Sequence, residues 1–202
     1  MTLEGLRDVE TYFSRYPQVA NRAARMAINT IATRRGMKTA KDAMMEEVAF
    51  PRSYLNDRLS VTKKATSNNL EAIISGRKRA TSLARFASKG QAPGSRRKKG
   101  VRIRVSKGRS SYMKNAFLVR LRRGASLDED NYNVGLALRL NPGESIRNKK
   151  RAHSSWLVKG EVALLYGPSV DQVFRTVSEQ VAPEISRELA NEFLRQFARL
   201  ST

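Results

Sequence analysis

The sequence predicts an α+β fold, with long N-terminal and C-terminal helices packed on one face of a mainly antiparallel sheet. Three observations predict it. Apolar residues recur at three- and four-residue steps at both ends of the chain, the spacing of one helix face. Between them lie short stretches that alternate strictly between apolar and polar, the spacing of a half-buried strand. The links between those stretches are rich in Gly, Ser and Lys, which makes them loops. Helices, then strands, then a helix is the order of an α+β domain.

The first helix is expected from Thr2 to about Tyr16, with Leu3, Leu6, Val9 and Phe13 on one face. Pro17 suits the first turn of a second, longer helix, where its missing N–H costs nothing. Val19, Ala23, Met26, Ala27, Thr30 and Ile31 form its stripe. Gly36 is a weak point, after which Met37, Ala40, Met44 and Val48 carry the stripe on toward Phe50. Pro51 disfavours helical geometry in the residue before it and sets the end. Strands are expected at Asn69–Ser75, Val101–Val105, Ala116–Leu121, Val134–Leu140 and Val162–Tyr166, the last closed by Gly167-Pro168. The connections Ser88–Gly100 and Asn141–Ser154 read as long basic loops. Val170, Val173, Val177, Val181, Ile185, Leu189, Phe193 and Phe197 then form one helical row. Pro183 interrupts it without breaking register, so a kinked helix is expected. The whole is read as a single domain over 1–202: N-terminal helices in 1–60, a basic β region in 61–168 and the kinked helix in 169–202. No internal repeat is visible.

The chain has 202 residues, 40% hydrophobic and 28% charged, which suits a folded protein. It has no Cys, which removes disulfides and thiolate metal sites. No apolar run approaches the roughly 18–20 residues of a membrane span. The start, MTLEGLRDVETYF, lacks the pattern of a signal peptide. The expectation is a protein of a reducing interior, or of a particle assembled there.

An enzyme needs a site, and none can be built from these residues. His153, the single histidine, sits beside Lys149-Lys150-Arg151, and reads as a solvated loop residue. Asp128-Glu129-Asp130 does not match a calcium loop and reads as an acidic turn. No glycine-rich phosphate loop or nucleophile elbow is present. No metal or cofactor is expected.

The net charge of +21 is unevenly spread. Residues 61–160 carry 25 Lys/Arg against 5 Asp/Glu, while residues 1–60 and 161–202 are close to neutral. Self-repulsion on that scale is costly without a polyanion or an acidic partner nearby. The densest stretch is 95–109, SRRKKGVRIRVSKGR. Strand alternation puts Arg102 and Arg104 on one face, and likewise Arg120 and Arg122. If those strands share a sheet, one face packs on the helices and the other presents an arginine array. Arg96, Arg97, Lys98, Lys99, Lys107, Arg109, Arg123, Lys149, Lys150 and Arg151 extend it. Such an array suits phosphate and is indifferent to base sequence. It equally suits an acidic protein. Few aromatic rings interleave with it, so a stacking platform for single strands is not indicated.

The order of pieces adds a resemblance. A long Ala-rich helix and a basic strand region precede Lys114-Asn115-Ala116-Phe117-Leu118-Val119-Arg120-Leu121 and the alternating strand Val134–Leu140. Val162-Ala163-Leu164-Leu165-Tyr166-Gly167-Pro168-Ser169-Val170 follows, and then the Pro-containing helix with Ile185, Arg187-Glu188-Leu189 and Phe193. This resembles the minor tail protein Z family of long-tailed bacteriophages, within the wider group of tail-completion and neck proteins. The chain departs from related proteins at Trp156-Leu157-Val158-Lys159-Gly160-Glu161, where an Arg-x-Pro-Ile-type segment is common. The resemblance implies a small sheet with a long packed helix, assembled around a central axis as a homo-oligomeric ring, a hexamer by analogy. It implies a structural virion protein, assembled in the host cytoplasm, that completes the head-proximal end of the tail. Its partners would be the tail terminator, the connector and the end of the packaged DNA. It implies no catalytic residues. The alternative from the charge alone is a free, non-specific nucleic-acid-binding protein.

Overall fold

The computed structural model describes residues 11, 15–88, 93, 100–121, 133–141, 157–158 and 162–202. The chain is α+β, and the strands described all pair antiparallel. It divides into two compact units, each discontinuous in sequence. One comprises Met1–Met44, Arg52–Arg77 and Phe174–Thr202, the other Met45–Pro51 and Lys78–Val173. The expected helix over Thr2–Tyr16 falls largely outside the described residues.

In the first unit α1 spans Pro17–Thr33 and α3 Arg52–Asn56, while α2, Arg35–Glu47, lies there up to Met44 and ends in the second unit. Pro17 opens α1 as expected. Ala23, Ala27 and Ile31, four residues apart, are buried and form the packed stripe. The chain leaves helical geometry at Arg34, not at Gly36, with φ −118° and ψ −90°. Gly36 lies inside α2, where an added Cβ would sit 2.9 Å from the carbonyl oxygen of Ile31. The glycine is therefore a point of close approach between two helices, and the break falls just before it. Met37, Ala40 and Met44 bury the face of α2 as predicted. The helix stops at Glu47 rather than near Phe50, because the Ala49 N–H is drawn away to the Val105 carbonyl at 2.7 Å.

Strand β1, Leu59–Lys63, pairs with β2, Ile73–Gly76, in a two-stranded ladder with an irregularity between Val61 and Lys63. The sequence reading missed β1 and started β2 four residues early. Asn69 belongs instead to a turn, its carbonyl accepting from the Thr66 N–H at 2.8 Å. Asn29 on α1 holds the chain just beyond β1 through both ends of its amide. Its Nδ2 donates to the Ala65 carbonyl and its Oδ1 accepts from the Ala65 N–H, each at 2.9 Å.

In the second unit β3 (Thr81–Ser82), β6 (Ala116–Leu121), β7 (Asn133–Arg139), β8 (Leu157–Val158) and β9 (Val162–Gly167) form one sheet. Its order is β3-β9-β7-β6, with β8 also on β9. A separate two-stranded ladder joins β4, Val101–Ile103, to β5, Ser111–Met113. β6 has the predicted bounds, β7 starts and ends one residue earlier than predicted, β9 runs one residue longer, and β4 stops at Ile103, two residues before its predicted end. β3, β5 and β8 were not predicted.

β9 turns at Gly167-Pro168 into α4, a single helix over Val170–Ser201 that contains Pro183. A reciprocal cap starts it. The Gln172 N–H donates to Ser169 Oγ at 3.1 Å, and the Ser169 N–H donates to Gln172 Oε1 at 2.9 Å. This capping box satisfies two backbone donors at the buried end of a long helix. Ser169→Ala removes its hydroxyl half and is expected to cost about 1 kcal/mol, measured by urea denaturation followed by circular dichroism. Of the predicted row, Val170, Val173, Val177, Val181 and Phe197 are buried, while Ile185, Leu189 and Phe193 are half-buried.

Candidate basic contact surface

Hairpin β4–β5 carries the best-defined part of the predicted surface. Val101 and Ile103 are buried and Arg102 between them is exposed, so alternation holds. β4 is not an open edge on its far side. The Ser88 N–H donates to the Arg102 carbonyl at 3.0 Å, and the Arg104 N–H to the Phe86 carbonyl at 2.8 Å. Phe86, the last residue of the 3-10 turn Leu83–Phe86, meets Phe50 with ring centroids 5.6 Å apart. Arg102 faces Tyr112 across the ladder, and both are exposed. Gly100, at φ +112°, lets the Tyr112 ring lie against its backbone, a place where an added Cβ would collide with the phenol.

Arg104 is exposed just past β4. Lys107 and Arg109 flank Gly108 (φ +79°) in the connecting turn, where the Arg109 N–H reaches the Ser106 carbonyl at 3.3 Å. Lys107 is paired with the Glu46 carboxylate, which offsets its charge. Both partners are exposed, so this pair adds little stability.

The expected arginine array does not form on a shared sheet. β4 and β6 belong to different ladders. Arg120 also has the parity of Ala116 and Leu118, which are buried. Registers Leu118↔Leu136↔Leu165 and Phe117↔Ala137↔Leu164 put apolar residues on both faces of β6–β7–β9. Gly135, Leu136 and Ala137 on successive positions of β7 are all buried. Both faces of this sheet are therefore covered, and Arg120 and Arg139 emerge only near strand ends, where they are exposed. Arg96, Arg97, Lys98, Lys99, Arg122, Arg123, Lys149, Lys150 and Arg151 lie outside the described residues, as do His153 and Asp128-Glu129-Asp130.

A second concentration of charge, unread in the sequence, lies in the first unit. Asn29, Thr33, Arg34, Lys64, Arg195 and Gln196 line a cleft of about 270 Å³. The clamp from Asn29 onto Ala65 sets the position of Lys64, and the break at Arg34 presents that side chain at the end of α1. On α4, Arg195 grips Glu192 with two hydrogen bonds, Nε to Oε2 at 2.9 Å and a second to Oε1 at 2.6 Å. No sequence signal links these cations, because they come from three distant segments.

The Arg195 hydrogen bond holds the Glu192 carboxyl below its ordinary value. Burial opposes this, and the Gln196 amide and the charges of Arg195 and Arg35 assist it. A carboxyl depressed by folding stabilises the native state above its unfolded pKa, about 4.3, and that stability is lost as pH falls through the lower folded value. Urea midpoints measured from pH 6 down to pH 3 should fall less steeply for Glu192→Gln than for the parent.

Among the described residues no helix is long and apolar enough to cross a membrane, and no group of three or more His, Cys, Asp or Glu could hold a metal ion. Comparison with protein-family models, with curated proteins and with solved structures finds no match.

Proposed function

We propose that the chain is a structural component of a phage tail, set at its head-proximal end and assembled as a ring with the tail terminator and connector. What supports this reading is the resemblance in segment order. Its strongest point is the join where a buried strand, β9, passes through Gly167-Pro168-Ser169 into a capped helix of 32 residues. At about 1.5 Å per residue that helix is roughly 48 Å long, a length suited to a scaffold element. The role calls for protein contacts at the near-neutral ends and for a basic middle that meets the packaged DNA end or acidic neighbours. It calls for no catalysis.

Quantitative mass spectrometry of purified particles tests the proposal. A small fixed copy number, near one ring's worth, is the expected result. Abundance in the lysate with absence from particles would overturn it.

A second reading, a free non-specific nucleic-acid binder, draws on the exposed Arg102 and Arg104 beside the exposed Tyr112. It requires the isolated protein to bind any duplex with steep salt dependence. Each phosphate contact contributes a slope of about −0.9 in log K against log salt. On that reading Arg102→Glu with Arg104→Glu should flatten the slope by about two units, measured by fluorescence anisotropy across a salt series. A parent protein with no measurable duplex affinity at 50 mM salt removes this reading.

A further inference from the structure

We propose that the N-terminal segment, residues 1–14, docks as an amphipathic helix into an apolar groove between α1 and α4 of its own chain. The proposal is independent of membership in a virion. Met1–Met44 and Phe174–Thr202 fall in one compact unit, so segment and groove belong together.

The groove has a volume of about 320 Å³. Ala24 and Ile28 of α1 line one wall, and Ser186, Leu189, Ala190 and Phe193 of α4 the other. Ile28, Leu189 and Phe193 are only half-buried, and Ser186 and Ala190 are exposed, so the walls can be reached. Phe193 is braced by Phe197, with ring centroids 6.0 Å apart. None of the described lining residues is charged. An aliphatic side chain therefore gains by leaving water here, while an ion finds no partner.

The connection into α1 identifies the occupant. Thr11 is helical, Arg15 lies in a turn, and α1 begins at Pro17. Two helices joined by so short a link are antiparallel neighbours, so a helix ending at that turn runs back along α1. A helix of about 14 residues is marginal alone in water, and helical geometry at Thr11 calls for a surface to pack on. Leu3, Leu6, Val9 and Phe13 form the apolar row. Thr11 lies two residues from both Val9 and Phe13, about 160° around the helix, and it is exposed, as the outer face of a docked helix must be. Register agrees. At about 1.5 Å per residue, Ala24 and Ile28 stand roughly 10 and 16 Å beyond Pro17, and Val9 and Leu6 roughly 9 and 14 Å back from Arg15. Val9 comes level with Ala24, and Leu6 falls between Ala24 and Ile28. The groove has the space of roughly ten liquid waters of about 30 Å³ each, enough for both side chains.

Charge fits the same occupant. The segment carries Glu4, Asp8 and Glu10 against Arg7. Arg25 and Arg187, three residues before Ile28 and Ala190, border the groove. Glu184 and Glu188 each lie two residues from Ser186, about 160° around α4, and Glu192 is held by Arg195. The rim that the segment meets is thus positive. A second copy as occupant would bring a net charge of +21 toward it.

The sequence has no Cys, so introduced thiols report without interference. Full-length Leu6→Cys/Ala190→Cys is oxidised at low protein concentration beside Asp8→Cys/Ala190→Cys, whose first thiol lies about 160° around the same helix and about 3 Å along it. Mass spectrometry is expected to find a disulfide within one chain for the first pair, formed about tenfold faster than for the second. Equal rates, or no disulfide in either, would overturn the proposal. A disulfide between chains means that the groove receives a second copy's segment, and overturns docking within the chain. Leu6→Asp gives a second readout that leaves the core residues unchanged. Tryptic cleavage after Arg7 should rise about tenfold in this variant, because cleavage follows the undocked population. Equal cleavage in parent and variant would count against docking in the same way.

Discussion

Leu164→Ala and Leu165→Ala are each expected to destabilise the second unit by about 3 kcal/mol, although the two side chains leave opposite faces of β9. The values of 6% and 9% exposure place both in packed surroundings. Leu→Ala in such sites costs about 2–5 kcal/mol, the lost transfer energy plus the cavity left behind. Leu164 lies in register with Ala137, and Leu165 with Leu136. An added Cβ at Gly135 would approach Leu164 Cδ2 to 3.1 Å and Leu121 Cδ1 to 2.8 Å, so Leu164 fills space that the missing side chain leaves. A sheet with one solvent-facing arginine surface would respond differently. There one of these adjacent leucines would be core and the other near-neutral, within about 0.5 kcal/mol. Urea denaturation of the two variants, with amide exchange to localise the loss, separates the two architectures. A large cost for one leucine and none for the other would restore an open face on this sheet, though not the shared arginine array, because β4 lies in another ladder.

The difference between the expected and observed sheets is a difference of kind of information. Period two in Ala116–Leu121 correctly marked a strand, because each residue's side is a local property of the chain. Which strand lies beside it is not local. The alternation of Val101-Arg102-Ile103 is as regular as that of β6, yet β4 pairs with Ser111–Met113, a stretch with one aliphatic residue, Met113, and no visible signal of its own. β1 was missed for a related reason, and β3, Thr81–Ser82, is too short to show a period. Their hydrogen bonds define them, while Ser60, Thr62 and Lys63 face solvent and leave little hydrophobic pattern to read. Helices fared better because their stripes are long. Ala23, Ala27 and Ile31 announced a close-packed face, and Gly167-Pro168 announced the end of β9 and the entry to α4. The candidate site divides in the same way. Arg102 stands where alternation placed it, whereas the cleft with Arg34, Lys64, Arg195 and Gln196 exists only once three distant segments meet.

That meeting depends on Asn29, and Asn29→Ala is expected to cost about 2–4 kcal/mol. The change removes two hydrogen bonds at once and leaves the N–H and carbonyl of Ala65, a buried residue, without their partner. Each abandoned backbone group costs about 1–3 kcal/mol when water cannot replace the lost partner. Asn29→Asp separates the two halves of the clamp. It keeps an acceptor for the Ala65 N–H but turns the second oxygen, ionised at neutral pH, toward the Ala65 carbonyl. The penalty of this second variant should shrink on acidification, when a protonated carboxyl can again donate. Urea midpoints for both variants at pH 7 and pH 4 make the comparison. If Asn29→Ala costs under about 0.5 kcal/mol, the range of an ordinary surface change, the segment after β1 is held by something other than this amide.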